Sequence, residues 1–263
     1  MTKATLSAAV RDALLTPEPR EKVMAARAVA RNWRLGRLEF AFDASMPDRP
    51  ARPDRPELLP PRDMPRRGKG AHRTRVALWH SLAHIEFNAI DLALDIIGRF
   101  GAEMGREFCD DFLSVAADEA MHFALLERRL RAMGSFYGAL PAHDGLWQSA
   151  QDTGHDVAAR LAIVPMVLEA RGLDVTPNMV ERLRDADDQP GARLLQRILD
   201  DEIAHVRFGA THFEKWCERH RKQPILEWQR LVKTYFKGRL KGPFNDSARR
   251  QAGLSRQYLH GIV

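Results

Sequence analysis

Two copies of Asp-Glu-x-x-His stand in this chain, Asp118-Glu119-Ala120-Met121-His122 and Asp201-Glu202-Ile203-Ala204-His205. A further glutamate precedes each at the same interval: the step from Glu86 to Glu119 equals the step from Glu169 to Glu202. Residues three apart on a helix share a face about one turn apart. Glu119 with His122, and Glu202 with His205, can therefore each aim at one point. Four carboxylates and two imidazoles drawn from four helices are the ligand set of a carboxylate-bridged dinuclear metal site. Glu86 and Glu169 are the natural bridging carboxylates of such a site. The mixture suits iron or manganese, whereas zinc sites use fewer carboxylates.

The aspartate before each glutamate adds to the pattern. A metal-bound histidine nearly always donates its second ring N–H to an acceptor, often a carboxylate. Asp118 and Asp201 are placed to do this for the histidine of the opposite helix, which pairs Asp118 with His205 and Asp201 with His122. The alternative is two solvent-facing residues on charged helices; recurrence at one offset in both copies favours the first reading. A lone E-x-x-H is a weak signal, because helices are rich in glutamate. Here both copies lie in apolar stretches: Phe112, Val115, Ala116, Phe123 and Leu126 flank Glu119, and Leu195, Ile198, Leu199 and Val206 flank Glu202. A carboxylate on an apolar face is costly unless a cation accompanies it.

The pattern Glu…Glu-x-x-His…Glu…Glu-x-x-His resembles the ferritin-like di-iron carboxylate superfamily. More narrowly, the chain resembles the DUF455 family of bacterial ferritin-like proteins of unknown function. The narrower likeness rests on Met64-Pro65-Arg66-Arg67, on His80 to Glu86, on Glu169-Ala170-Arg171-Gly172-Leu173-Asp174-Val175-Thr176-Pro177, on Asp201 to Val206 and on Gly242-Pro243-Phe244-Asn245. It covers nearly the full length. It implies an all-α, ferritin-like four-helix bundle with a long crossover and a dinuclear metal site, and it brings no settled substrate.

The 263 residues are 44% hydrophobic, enough for a sizeable core. Cys109 and Cys217 lie far apart and form no CxxC, which reads as reduced core thiols in a cytoplasmic protein. No signal peptide is legible at the N-terminus, and no apolar run of membrane-spanning length follows. The net charge of +6 conceals a pattern. Residues 1–75 hold 17 Lys and Arg against 9 Asp and Glu, residues 76–213 hold 12 against 22, and residues 214–263 hold 12 against 4. The basic ends either recognise a nucleic acid, a phosphorylated substrate or anionic lipid, or fold back onto the acidic middle. Near-cancellation of the charges favours the second.

Three parts follow from the pass along the chain: residues 1–71 with two short helices (6–15 and 18–36) and a Pro/Arg-rich extended strap, residues 72–221 as the bundle, and residues 222–263 as a helical extension. The strap, Asp43 to Gly70, is either a disordered linker or an ordered segment anchored by Leu58, Leu59 and Met64. The first bundle helix is expected over 72–98, ending near Gly98 and Gly101; the second over 103–133; the third over 147–171; the fourth over 190–221 with Pro190 in its first turn. The turn-rich stretch from Ser135 to Gly145 fits the crossover. Pro165 is expected to kink the third helix four residues before Glu169 and make room for a substrate or oxygen, or else to be a tolerated irregularity. Gly172 and Pro177 are expected to interrupt the chain, with Thr176-Pro177 opening a short helix to Asp185. Final helices are expected at 224–238 and 245–253.

Among the other candidates, His80 and His84 read as structural or pocket-lining, His212 as core or channel lining, and Trp79 as core. Tyr137, Tyr235 and Tyr258 are the tyrosines available as redox neighbours, and the sequence selects none. Two ferrous ions bridged by carboxylates can together deliver two electrons to dioxygen. The leading expectation is an oxygen-activating di-iron oxidoreductase of the monooxygenase or hydroxylase kind, acting on a small molecule with dioxygen or peroxide. The cofactor is two iron ions, with manganese or a mixed pair as alternatives. By resemblance the same ligand formula serves peroxidases, manganese catalases and tRNA hydroxylases, so a nucleic-acid partner stays open, as does a homodimer. A metal-storage or detoxification protein is the reading from another class, and a scaffold with a structural metal is the third.

Overall fold

The computed structural model describes residues 3–65 and 71–263. The chain divides into two compact units, Met1–Gln148 and Ser149–Val263. Both are built of helices; the one strand pairing among the described residues joins β1 (Ala4–Thr5) in parallel to β2 (Leu38–Glu39).

In the first unit, α1 (Leu6–Leu14) starts where the Thr5 hydroxyl accepts the Ala8 N–H, and α2 (Pro19–Arg34) opens on a proline whose missing donor costs nothing there. Val23, Ala26, Val29, Ala30 and Trp33 turn one face of α2 into the core. The long helices α3 (Ala71–Met104) and α4 (Arg106–Ala132) pack on each other as a hairpin about Gly105, which turns at φ 93°. Helix α3 thus runs through both Gly98 and Gly101, where propensity alone predicts a stop. These glycines are notches. A Cβ at Gly98 would lie 2.1 Å from the Met46 sulfur, and one at Gly101 would lie 2.5 Å from the Phe42 ring.

Phe42 and Met46 begin the strap, which is ordered as far as the described residues reach. Arg66 to Gly70, including the Arg66-Arg67 of the family-like stretch, lie outside them. The expected anchors hold partly through backbone rather than side chain. Leu58 is 38% exposed and holds through its backbone, in a bridge to Ala142 flanked by the bonds Leu59 N–H to Ala142 O and Ala142 N–H to Glu57 O. Leu59 and Met64 are both half-buried. The stronger ties are polar. Arg52 reaches Asp91 and, at 2.6 Å, Asn88, while the buried Lys22 amine of α2 meets Asp91 at 2.5 Å and the Leu14 and Ala51 carbonyls at 3.1 Å. Burial pushes the Asp91 carboxyl up and the Lys22 amine down, and their contact opposes both shifts.

His80 and His84 hold the connection after α4. The His80 Nε2 accepts the Gly138 N–H at 2.9 Å; the His84 Nδ1 meets the Tyr137 hydroxyl at 2.9 Å and its Nε2 meets the His143 carbonyl at 3.1 Å. Both are buried, in keeping with their structural reading, and burial holds each imidazole down at about 4.

In the second unit, the expected third helix is broken. Helix α5 (Gly145–Asp152) begins just before the unit boundary and ends within it; α6 (Val157–Ile163) then starts afresh under Asp156, whose carboxylate accepts the Ala158 and Ala159 N–H groups at 2.8 and 3.1 Å. An aspartate that caps so well competes with a continuous helix. After a π-helical turn at Val164–Glu169 comes α7 (Ala170–Asp185), then α8 (Gln189–Arg219), α9 (Pro224–Tyr235) and α10 (Asp246–Gln251). Helix α7 packs on α8, and α6 on α9. The expected interruption at Gly172 and Pro177 does not occur: α7 is continuous with Pro177 inside it. Proline there leaves the Leu173 carbonyl without its helical donor. The Asn245 side-chain amide supplies one at 3.1 Å, while the Asn245 N–H and the Arg249 guanidinium bind the buried Asp174 carboxylate.

Charges from the ends do meet the acidic middle within each unit. Lys22, Arg49 and Arg52 pair with Asp91 or Asp144 in the first, and Lys237 and Arg249 pair with Asp152 and Asp174 in the second. Cys109 and Cys217 are free, buried thiols, pushed up to about 12 by burial. Among the described residues no helix is long and apolar enough to cross a membrane.

Two outcomes are expected. His80 is neutral when folded and takes a proton near 6.5 when unfolded, so stability is full above that pH and falls as the pH drops from about 6.5 towards about 4. Urea unfolding at pH 7 and pH 5 should show a loss on the order of 2 kcal/mol to which this group contributes, and His80→Gln should flatten that dependence. Asn245→Ala leaves the Leu173 carbonyl without its donor and should cost about 1–2 kcal/mol by the same measurement.

Candidate metal centre

Glu119 stands as many positions into α4 as Glu202 stands into α8. Each follows a tight helical connection, so each unit carries its glutamate and histidine at the same height of a packed helix pair.

In the first unit the α3–α4 hairpin brings Glu86, Glu119 and His122 together. Each offers a ligand atom within 4.8 Å of the others. The His122 Nδ1 lies 3.2 Å from Glu86 Oε2 and 3.5 Å from Glu119 Oε2. All three are buried. Burial, followed by the negative charge of Glu119, holds the Glu86 carboxyl well above the usual range. Burial alone would lower His122, but its hydrogen bonds to Glu119 and Glu86 outweigh that and carry it up to about 11. A positive charge is therefore strongly favoured at this point.

In the second unit Glu202 and His205 share a face of α8, with His205 Nδ1 3.6 Å from Glu202 Oε2; the imidazole is buried and the carboxylate half-buried. Glu169 is the last residue of the π turn and is half-buried. Pro165 has no N–H to continue an α-helix, and the turn widens so that the Ala170 N–H reaches the Pro165 carbonyl, five residues back. The proline thus produces a π turn rather than a simple kink. Its ring lies on α8 at Gly209, where a Cβ would fall 2.3 Å from Pro165 Cβ and 2.4 Å from its Cγ. Gly209 is a positioning residue that the sequence reading missed; its one signal was a glycine in the middle of an otherwise regular helix.

Asp118 and Asp201 are both half-buried. Asp201 has the Arg197 guanidinium 3.8 Å away and borders a groove of about 640 Å³ lined by Arg184, Arg193 and Arg197. His212 and Trp79 are buried, as expected of core residues. Of the tyrosines, Tyr137 is set apart: its ring lies 5.2 Å from Phe87 and 5.0 Å from Phe123, the residues that follow Glu86 and His122. Tyr235 bonds His155, and Tyr258 bonds Glu214.

The class these features belong to is a helical protein with carboxylate and imidazole side chains gathered in its core. The chain belongs to the family described as Protein of unknown function (DUF455), whose model matches residues 15–260. It is similar to an uncharacterized protein of Haemophilus influenzae (strain ATCC 51907 / DSM 11121 / KW20 / Rd), 39% identical over 216 residues that cover 80% of this chain and 75% of that one. No solved structure matches it.

Gly209→Ala should force the Pro165 ring and the π turn away from α8. A stability loss of about 1–3 kcal/mol is expected in urea unfolding, against the small gain that alanine brings to an unobstructed helix.

Proposed function

We propose that this protein is a dinuclear non-haem iron oxidoreductase of ferritin-like architecture that activates dioxygen towards a small-molecule substrate. Glu86, Glu119 and His122 would hold the metal pair from the first unit, and Glu169, Glu202 and His205 from the second. The observation that carries this reading is the buried cluster of two carboxylates and an imidazole within 4.8 Å in the first unit. Two buried carboxylates so close repel each other, and a multivalent cation relieves both that repulsion and their desolvation. The donors fit iron or manganese by type. The repetition of the same residues at the same interval supports an equivalent half-set in the second unit.

When bound, two such ions supply two-electron chemistry with dioxygen or peroxide. The chain's own residues do the rest. Glu86 and Glu119 orient the His122 ring, and the burial of all three keeps bulk water from them. Asp118 and Asp201 would hold the outer ring N–H groups of His205 and His122 and so fix their tautomers. The π turn sets Glu169 on a backbone that departs from the α-helical repeat, which gives that carboxylate an approach a regular helix does not offer.

Metal analysis after anaerobic loading with ferrous iron tests this directly. About two irons per chain are expected, with an optical change on exposure to oxygen. Glu119→Ala and His205→Ala should each lose bound metal while the far-ultraviolet circular dichroism stays helical. Retention of two irons by both variants would remove the assignment, and uptake of hundreds per chain would point to storage instead.

A further inference from the structure

The N-terminal basic residues fall into two groups that the charge count alone does not separate. Lys22 and Arg52 turn inward and pair with Asp91, and Arg49 pairs with Asp144 at the surface. Arg20, Arg27, Arg31 and Arg34 do not. All four are exposed on α2, and none has a side-chain ion pair or hydrogen bond among the described residues.

Their spacing places them together. At about 100° per residue, Arg20, Arg27, Arg31 and Arg34 fall within an arc of about 60° on the solvent side of α2. That arc is centred about 120° round the helix from the middle of the buried face of Val23, Ala26, Val29, Ala30 and Trp33. The row is about 21 Å long at the rise of an α-helix. Met24, 62% exposed, lies within it, and Leu35, 56% exposed, closes one end. No acidic side chain enters the arc; Glu21 stands at its side. Four guanidinium groups in line raise each other's energy, and no acidic side chain among the described residues pairs with them.

We propose that this arginine ridge binds the backbone of an RNA duplex. Guanidinium is a planar fork that matches phosphate oxygens two at a time, which a lysine amine cannot do, and the cations of the ridge are arginine alone. The other side of α2 is packed in the core, so only a convex crest projects. Such a crest cannot enter a deep, narrow groove, but it suits the wide, shallow minor groove of an A-form duplex, bordered by phosphates and 2′-hydroxyls. Met24 and Leu35 give the crest an aliphatic flank for the ribose. No aromatic ring lies in the arc, as stacking on single-stranded bases requires. One methionine and one leucine fall short of the apolar face that seats a helix in a lipid interface.

The experiment uses the full-length protein and a fluorescent 20-base-pair RNA duplex, followed by anisotropy. Binding in the micromolar range is expected at 50 mM salt, with log Kd changing against log salt by a slope of about 3–4, one for each phosphate contact. R27A should reduce the slope by about 1. R27E/R31E should weaken binding by at least about 30-fold with an unchanged melting temperature, since both side chains are exposed and unpaired. R182E/R193E, which alters net charge equally at exposed arginines of the second unit, should weaken it by less than about 3-fold. Equal losses in the two double variants, equal affinity for a DNA duplex of the same length, no saturable RNA binding, or R27E/R31E-sensitive binding to phosphatidylserine vesicles in place of RNA would each overturn the proposal.

Discussion

Helix α3 goes into the core with five polar side chains on one stripe. His80, His84, Asn88, Asp91 and Asp95 are all nearly or wholly out of solvent. Each must be matched by a partner, because a buried polar group left unmatched costs more than its hydrogen bond returns. Besides Lys22 of α2, which meets Asp91, most partners come from segments with almost no regular structure of their own. Arg52 comes from the strap, and the Gly138 N–H, Tyr137 hydroxyl and His143 carbonyl come from the connection after α4. The Asp95 carboxylate is met by Arg99, which also reaches the Pro47 carbonyl of the strap. Both segments are ordered for that reason, and their attachment leaves another face of α3 to present Glu86 to α4.

The second unit meets a related constraint in its backbone. Pro165 and Pro177 each remove a donor from a helix. A π turn answers the first, seated on α8 by the absence of a side chain at Gly209. The Asn245 amide answers the second from a distant part of the chain. The C-terminal extension is therefore part of what keeps α7 continuous, and Asp174 with Arg249 fastens it there. Both devices bear on the same stretch of chain, the one that carries Glu169.

Charge is handled in two opposite ways. Where α2 faces the core, Lys22 is placed against Asp91, and burial of the pair is tolerable because each ion satisfies the other. Where α2 faces outward, its arginines have no ion pair among the described residues. The cluster of Glu86, Glu119 and His122 is the inverse case: two carboxylates gathered in the core beside a single imidazole. In our reading a metal completes the second imbalance and an RNA backbone the first.

Periodicity and residue type determined a good deal. The helical class, the positions of α1, α2, α4 and α8 to within a few residues, and the three residues that meet in the first unit were all legible, because each depends on spacing along one helix or on two carboxylates in apolar surroundings; the family was legible through the resemblance of its motifs. Composition also showed that Asp43 onward has no helical period. What it could not show was where the strap lies or what holds it, since Phe42 and Met46 fit against glycines far along the chain and the polar ties depend on which side chains are buried together. Gly98, Gly101 and Pro177 read as helix breakers because propensity is a local quantity; the tertiary structure turned the glycines into contact notches and supplied the missing donor at Pro177 from Asn245. Likewise a count of charges revealed the excess of cations over residues 1–75, but only folding decided which of them were neutralised and which were left facing solvent.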